Sequence, residues 1–416
     1  MSLALIAVPA FAADPGAPAP AAAAEAPAPV VPDRERTRMN QRVFDRVWSE
    51  VRSQYYDPDL HGVDWNEARQ TWRPIALSAP DDRTLYRALG EMLDLLDDDH
   101  AGVAPPAVAR RQDTLRQRRP AIGVSLRPEP SGEAWLIERV RPNSPAAEAG
   151  VSAGWRLITG EGAPWTPEQD IAEGRSITLS LIDEAGAPRP LILVPRMMEP
   201  TPPFVADRSR AGVLILTVDG FEAGLGRWMG EQLANLPPET DVIIDLRGNP
   251  GGRLIEADAV LSCFLPINRL WAARTGRSGR RVELRTGGGC GDLDRPVEND
   301  VAILVDANSR SAAELTPAAL QEARRAVVVG APTAGAVLIS QETGLPDGGR
   351  LSLSRADFVT SGGVRLEKRG VTPDIAAPLT LEDRRAGRDP GLDAAVAALA
   401  RSRAEPALAL QAAPTL

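Results

Sequence analysis

The first clear pattern along the chain is a helical repeat of apolar positions. Apolar residues recur every four positions at Met39, Val43, Val47, Val51 and Tyr55. This spacing predicts an amphipathic helix with one buried face. The same reasoning predicts a second helix over 84–96, entered through two aspartates. We therefore expect a small helical domain over residues 34–117.

After residue 117 the pattern changes to short β-like runs separated by glycine and proline turns. The predicted strands are 122–126, 135–140, 177–182 and 191–194, with a short helix over 144–149. These signals predict a compact, mainly β domain over residues 118–200.

From residue 201 to 390, continuous apolar runs alternate with helical segments. The predicted strands are 213–218, 242–246, 301–305 and 326–329, and the predicted helices are 226–236, 254–264 and 318–324. Buried strands between helices indicate an α/β sheet covered on both faces. The remaining segment, 391–416, is expected to hold one more helix over 392–401, followed by a tail.

The amino-terminal residues suggest export. Residues 1–12 contain a short apolar run that ends in Ala-Phe-Ala, a small-x-small pattern typical of a signal-peptidase site. It is too short to span a bilayer, and it lacks a basic start. Residues 13–33 follow, of which 15 of 21 are Ala or Pro, and they predict an extended linker. The alternative is an apolar tail without a targeting role.

Composition removes several classes of chemistry. The 47 basic residues include a single lysine, Lys368, and the chain has two histidines, His61 and His100. A phosphate-binding loop needs a lysine after its glycines, and a common type of zinc hydrolase needs two histidines four positions apart. Neither pattern is present, so no cofactor and no metal are expected. The net charge of −9 argues against a nucleic-acid partner. Cys263 and Cys290 either pair or remain buried thiols.

Two predicted strands end in unusual loops. The strand 242–246 runs into Arg-Gly-Asn-Pro-Gly-Gly, whose backbone amides can stabilise an anion or can simply form a tight turn. The strand 301–305 leads to Ser311, which with Glu314 fits a helix capping box. A serine at a helix start is also suited to be a nucleophile, because the helix end favours a developing oxyanion. Pro317 predicts a break, with a new helix capped by Thr316.

These loops are part of an ordered set of motifs that resembles the carboxyl-terminal processing (tail-specific) serine peptidases and their tricorn-core and chlamydial relatives. The motifs are Asp245-Leu-Arg-Gly-Asn-Pro-Gly-Gly252, Ser309-Arg-Ser-Ala-Ala-Glu314, Gly330-Ala-Pro-Thr333 and Gly370-Val-Thr-Pro-Asp-Ile375. The resemblance covers roughly residues 40–380. It implies a crotonase-like (ClpP-like) α/β peptidase core, Ser311 as nucleophile, and the amides of Gly251 and Ala312 as the oxyanion hole.

One departure selects a branch of this family. Ala336 stands where the Ser–Lys peptidases carry their lysine base. The tricorn-like branch uses Ser, His and Glu instead, and Asp98-Asp-His-Ala-Gly102 resembles its histidine motif. The resemblance therefore implies His100 as the general base and Glu367 as its orienting carboxylate. The alternatives are an exposed loop histidine and a surface ion pair of Glu367 with Arg365 or Arg369.

The β domain resembles a PDZ module at Ala121-Ile-Gly-Val124 and Ser144-Pro-Ala-Ala-Glu-Ala-Gly-Val151. In such modules the backbone of Ile122, Gly123 and Val124 would receive the terminal carboxylate of a peptide. A self-covered groove is the alternative. His61, in a turn rich in proline and glycine, is expected to be structural or exposed.

The leading hypothesis is an exported, periplasmic or secreted serine endopeptidase acting on polypeptides, with their carboxyl termini as a candidate recognition element. No integral membrane span is expected in this protein, and an oligomer is compatible with the sequence. Two rivals remain open. One is a peptide- or ligand-binding protein on a peptidase scaffold, motivated by Ala336. The other keeps acyl chemistry but acts on small esters or amides.

Overall fold

A computed structural model describes residues 32–114, 117–129, 134–159, 163–167, 169–380, 382–383 and 386–411. The signal-like segment 1–12, most of the linker and the last five residues lie outside these ranges. Within them, no helix is long and apolar enough to cross a membrane.

The described ranges contain nine α-helices. They are α1 Arg34–Gln54, α2 Trp65–Leu77, α3 Asp82–Asp94, α4 Pro106–Asp113, α5 Pro145–Glu148, α6 Leu225–Leu233, α7 Leu254–Ser262, α8 Ala312–Glu322 and α9 Pro390–Gln411.

The strands number eighteen over the same ranges. The first nine are β1 Gly102–Ala104, β2 Arg119–Ala121, β3 Val124–Pro128, β4 Ala134–Val140, β5 Arg156–Ile158, β6 Ile177–Ile182, β7 Pro188–Leu193, β8 Arg196–Met198 and β9 Phe204–Asp207. The others are β10 Val213–Val218, β11 Asp241–Asp245, β12 Leu270–Gly276, β13 Arg281–Arg285, β14 Val301–Val305, β15 Val327–Gly330, β16 Ile339–Gly344, β17 Arg350–Thr360 and β18 Ile375–Ala376.

The N-terminal helices pack together and against the core. The apolar stripe of α1 is buried as its spacing predicts, and the Asp33 carboxylate caps the helix by accepting the Arg36 N–H at 2.7 Å. The helix α2 adds a third element that the sequence analysis did not predict. The buried cluster of these helices also includes Leu351 and Leu353 of β17. The helices are thereby anchored to the α/β part of the chain.

The β module consists of an antiparallel sheet in the order β3-β4-β5-β6-β7, with the separate pair β2-β8 beside it. The Ser144 hydroxyl caps the four-residue helix α5 by accepting the Ala147 N–H. The β module has its own buried cluster, which includes Ile122, Ile137 and Leu157. The predicted mainly β character of this region is therefore confirmed.

The core is a six-stranded sheet in the order β18-β15-β14-β11-β10-β9. Its first five strands are parallel, and β9 is an antiparallel edge strand. The strand β14 is buried along its whole length, as a central parallel strand must be. The predicted α/β class is thus confirmed.

A second sheet has the order β1-β17-β12-β13, with β16 also paired to β17. None of its strands was among those predicted from the sequence. The short strand β1 joins this sheet by pairing with β17, with Gly102 opposite Ser352. This pairing places the loop between α3 and β1 beside the core.

The predicted break at Pro317 is wrong. The helix α8 runs without interruption from Ala312 to Glu322 and includes Pro317. Proline removes one backbone hydrogen bond, but the residues from Ala312 to Leu320 are all buried, so packing holds the helix together.

Cys263 and Cys290 form a disulfide. Of the two alternatives that the sequence left open, a disulfide or two buried thiols, the structure therefore has the disulfide.

Candidate active site

The two motif loops meet at the carboxyl edge of the core sheet, because β11 and β14 are adjacent parallel strands. The Gly248 N–H donates to the Asp306 carboxylate at 2.9 Å, and the Arg310 N–H donates to the Asn249 carbonyl at 2.9 Å. These bonds fix the glycine-rich turn against the segment that carries Ser311.

Ser311 lies immediately before α8 in a backbone conformation that serine rarely adopts, with φ 54° and ψ −118°. An N-cap residue normally has extended φ/ψ angles, so capping alone does not require this geometry. The Glu314 half of the capping box is nevertheless present, because its carboxylate accepts the Ser311 N–H at 3.1 Å. The Ser311 N–H also donates to the Ala336 carbonyl at 2.7 Å. Strain of this kind is concentrated at functional sites.

The two amides predicted to form the oxyanion hole differ in whether they already donate a hydrogen bond. The Ala312 N–H is the first amide of α8 and donates no hydrogen bond within the described ranges. Gly251 packs directly against the serine, since a Cβ added to it would lie 2.7 Å from the Ser311 Cβ. Its N–H, however, donates to the Asn249 Oδ1 at 2.7 Å. One predicted donor is therefore unoccupied and the other is already hydrogen-bonded.

Glu314 has a larger role than helix capping. Its side chain is fully buried, and its carboxylate accepts the Thr333 hydroxyl at 2.5 Å and the Gly335 N–H at 2.7 Å. It also accepts the Ala336 N–H at 2.9 Å and the Ser311 N–H at 3.1 Å. Burial raises the pKa of Glu314, and the hydrogen bonds that it accepts oppose that rise. The carboxylate thus ties the serine to the loop 333–336.

His100 lies in the loop between α3 and β1, and its ring is partly buried. Burial lowers its pKa, and the cations of Arg310 and Lys368 act in the same direction, whereas Asp98 and Asp99 oppose them. The backbone N–H of His100 donates to the Asp98 carboxylate at 2.8 Å. A lowered pKa keeps the imidazole neutral at neutral pH, which is the state that accepts a proton.

Glu367 is buried, with 6% of its surface exposed. One carboxylate oxygen, Oε2, accepts the Val337 N–H at 2.8 Å. Burial raises the pKa of Glu367, and the nearby Asp98 charge adds to the rise. Arg365, one of the two partners expected for a surface ion pair, instead donates to the Asp357 carboxylate at 2.6 Å. Glu367 is therefore an interior group beside Val337.

Backbone contacts place Ser311 and Glu367 beside the same segment, 336–337. The Ser311 N–H meets the Ala336 carbonyl, and the next amide, that of Val337, meets the Glu367 carboxylate. His100 Nδ1 and Glu367 Oε1 are each buried without a hydrogen-bond partner in the described part of the chain. The carboxylate–imidazole bond of an assembled triad is therefore not formed in this structure.

The second histidine has a structural position. His61 Nε2 lies 2.9 Å from the Tyr56 hydroxyl, and Nδ1 lies 2.8 Å from the Leu96 carbonyl. These contacts connect the turn after α1 to the end of α3. His61 thereby supports the start of the loop that carries His100.

A cavity of about 500 Å³ lies between the β module and the core. Ile122, Gly123 and Val124 line one side of it, and Gly248 and Pro250 line the other. The cavity therefore extends from the predicted carboxylate loop to the glycine-rich turn that precedes Gly251. Four arginines, Arg111, Arg119, Arg139 and Arg141, also line it.

Comparisons with known proteins agree with this architecture. The family model described as peptidase family S41 matches residues 212–377, and the one described as tricorn protease C1 domain matches residues 37–94. A carboxyl-terminal-processing protease of Synechocystis sp. is 26% identical over 358 residues, covering 80% of each chain. Tricorn protease homolog 1 of Streptomyces coelicolor is 27% identical, covering 88% of this chain and 36% of the homologue.

Among solved structures, the photosystem II D1 C-terminal processing protease superposes with a TM-score of 0.58 at 20% identity, covering 82% of this chain and 93% of the other. That likeness establishes a shared fold. The match of the S41 family model to residues 212–377 and the related processing proteases indicate a serine peptidase.

Proposed function

We propose that the chain is a serine endopeptidase of the tail-specific processing type that acts through Ser311, His100 and Glu367. The observation that carries this proposal is the strained serine at the buried start of α8, beside a two-residue segment, 336–337, that also contacts Glu367. No lysine is available at position 336, so the base has to be another group.

The chemistry follows from the groups present. His100 takes the proton of the Ser311 hydroxyl as its oxygen attacks the peptide carbonyl, and the oxyanion forms beside the free Ala312 N–H at the positive end of α8. The imidazolium then protonates the leaving amine, which leaves an acyl-enzyme that water hydrolyses. Glu367 orients the imidazole and stabilises its charged form.

Two adjustments are required for this chemistry. The Asn249 side chain must release the Gly251 N–H before Gly251 can contribute to the oxyanion hole, and Glu367 Oε1 must reach His100 Nδ1. Catalytic hydrogen bonds are often long or unformed without substrate and form only in the complex. We propose that substrate binding produces both changes.

The cavity beside the β module is the proposed peptide site, which makes the module PDZ-like in function. A peptide terminus would meet the backbone of Ile122, Gly123 and Val124. Burial and the neighbouring Arg141 lower the pKa of Arg119, so two like charges lie together in this cavity. A substrate carboxylate would relieve that repulsion, which favours a free carboxyl terminus as the ligand.

We also propose that the protein works in an oxidising compartment, periplasmic or extracellular. The Cys263–Cys290 disulfide supports this location, because disulfides persist mainly in such compartments. The signal-like segment 1–12 agrees with it.

Active-site labelling tests the proposal. A fluorophosphonate probe should label the wild-type protein, and the Ser311→Ala variant should not be labelled. His100→Ala and Glu367→Gln should remain folded and lose cleavage of casein, with a small ester substrate run in parallel to detect an esterase. Labelling that persists in Ser311→Ala would show that another residue is the nucleophile.

A second candidate is a peptide-binding protein without turnover. The bond from Gly251 to Asn249 and the missing bond between His100 and Glu367 favour it. If wild-type protein resists the probe, cleaves neither substrate and yet binds a peptide through its carboxyl terminus, this candidate replaces the peptidase.

A further inference from the structure

Lys368, the only lysine of the chain, connects the two loops that carry His100 and Glu367. Its Nζ lies 3.2 Å from the Asp97 carboxylate and 3.2 Å from the Asp99 carboxylate. Its backbone N–H donates to the Gly335 carbonyl at 2.7 Å. Lys368 therefore contacts the loop that carries His100 with its side chain, and the loop 333–336 beside Ser311 with its backbone.

The three consecutive aspartates before His100 divide their roles. Asp97 and Asp99 are exposed and face Lys368, whereas Asp98 is buried and accepts the His100 N–H. The loop begins at Asp97 with φ 48°, a left-handed conformation that non-glycine residues adopt rarely. Its shape is thus defined from inside by Asp98 and from outside by Lys368.

We propose that Lys368 is a positioning residue that assembles the active site by holding the His100 loop against the Glu367 turn. This inference rests on the proposed triad. The loop extends from the N-terminal helices, whereas Glu367 belongs to the core, so their relative placement has to be maintained by contacts between the two parts. The Lys368 ion pairs are such contacts at the residues next to both groups.

Lys368 is suited to this role and not to that of a base. Partial burial by itself lowers its pKa, but the hydrogen bonds and charges of Asp97 and Asp99 outweigh that effect and raise the pKa. The side chain therefore stays cationic across neutral pH. The participating side chains are 41%, 87% and 50% exposed, so dissolved salt weakens the ion pairs.

Charge-removing variants of the full chain test the proposal. Lys368→Met and the double variant Asp97→Asn/Asp99→Asn should each lower kcat/KM by about 2- to 30-fold, the range expected for two exposed ion pairs. Combining all three changes should cost little more than either alone, because the same contact is lost. Lys368→Arg, which keeps the positive charge, should keep most of the wild-type activity. Arg388→Met is the matched control, since Arg388 pairs with Glu382 and Asp383 on the surface.

The pH profile separates a positioning role from a direct charge effect. Lys368 lowers the pKa of His100 and Asp99 raises it. Lys368→Met should therefore move the acid limb of kcat/KM to higher pH, and the aspartate variant should move it to lower pH. If Lys368 acted only through its charge on the imidazole, the two variants would change activity at pH 6 in opposite directions. Loss of activity in both, at the pH optimum, requires the contact.

An activity-independent measurement keeps this inference separate from the proposed function. Hydrogen–deuterium exchange of the segment 96–101 should be faster in Lys368→Met and in wild type at 1 M salt, and unchanged in Arg388→Met. If the wild type neither reacts with the fluorophosphonate nor cleaves peptide, the proposed function fails while this exchange result still tests the contact. Unchanged exchange and unchanged kcat/KM in Lys368→Met would overturn the inference.

Discussion

Replacing Glu314 with glutamine tests whether its buried carboxylate holds Ser311 in place. The carboxylate accepts four donors, two on each oxygen. In glutamine an NH₂ group replaces one of the two carboxylate oxygens. The Ser311 N–H keeps the Ala336 carbonyl and the Thr333 hydroxyl can turn to accept, so one backbone N–H, that of Gly335 or Ala336, loses its acceptor. We expect Glu314→Gln to fold but to be less stable and to lose most of its turnover.

The contacts allow the size of the effect to be worked out. A buried donor that loses its acceptor costs about 1–3 kcal/mol, so the substitution should lower the free energy of unfolding by about 1–3 kcal/mol. That is a sizeable part of the total stability of a typical protein, which is about 5–15 kcal/mol. Because Ser311 is among the affected residues, a displacement of about 1 Å should lower kcat by about 10²-fold.

Glu256→Gln is the matched control. Glu256 is also a buried glutamate that accepts backbone amides, those of Gly224 and Gly226 at 3.0 Å each, but it lies outside the proposed site. Its replacement removes one acceptor, which should cost about 1–3 kcal/mol. We expect this variant to keep its kcat at temperatures where it is folded.

The assay pairs urea unfolding with kcat measured on a chromogenic peptide and with the rate of fluorophosphonate labelling. If Glu314→Gln is destabilised as calculated but reacts with the probe at the wild-type rate, the carboxylate stabilises the fold without positioning Ser311. If its stability is unchanged, the four hydrogen bonds do not exist as described.

Three further predictions concern the base, the disulfide and the cavity. Because burial lowers the pKa of His100, the acid limb of kcat/KM should have its midpoint below 6.5, and a midpoint above 7 would contradict the assignment. Cys263→Ala/Cys290→Ala should lower the free energy of unfolding by about 3.5 kcal/mol, because the disulfide spans 27 residues, as urea titration of both proteins would show. Arg119→Met should weaken binding of a free-carboxylate peptide about tenfold and leave an amidated peptide almost unaffected in fluorescence polarisation. Equal losses for both peptides would refute a carboxylate contact.

The parallel core was predictable because its strands are continuous apolar runs. The runs 213–218, 242–246 and 301–305 match β10, β11 and β14 within one residue at either end. Such strands are buried on both faces, so local composition is sufficient to identify them. The adjacency of their loops also followed, since the carboxyl ends of parallel strands share one edge.

The second sheet was missed although part of its signal is local. The strand β17 alternates buried and partly exposed residues over most of its length, including buried Leu351, Leu353 and Phe358. That alternation was available in the sequence. Its partners were not, because β1 and β12 pair with it from positions far along the chain. The placement of His100 beside the core depends on these distant pairings.

In the candidate site, too, local motifs could be recognised from the sequence and contacts between distant residues could not. The residues Ser311, His100 and Glu367 followed from a resemblance of motifs, and their roles remain predictions. The wider function of Glu314 could not be predicted, because three of its donors belong to Thr333, Gly335 and Ala336. A four-residue capping motif contains no information about a loop that begins 19 positions later.

The absence of a lysine at position 336 gains a physical meaning from these contacts. Ala336 is fully buried, its N–H meets Glu314, and its carbonyl receives the Ser311 N–H. The backbone at this position therefore supports the nucleophile in a way that does not depend on its side chain. The one lysine that the chain does carry adjoins Glu367 and pairs with the aspartates beside His100. In the proposed mechanism the base is His100 in the loop after α3, and a histidine on a separate loop requires a contact that holds it. The Lys368 ion pairs satisfy that requirement.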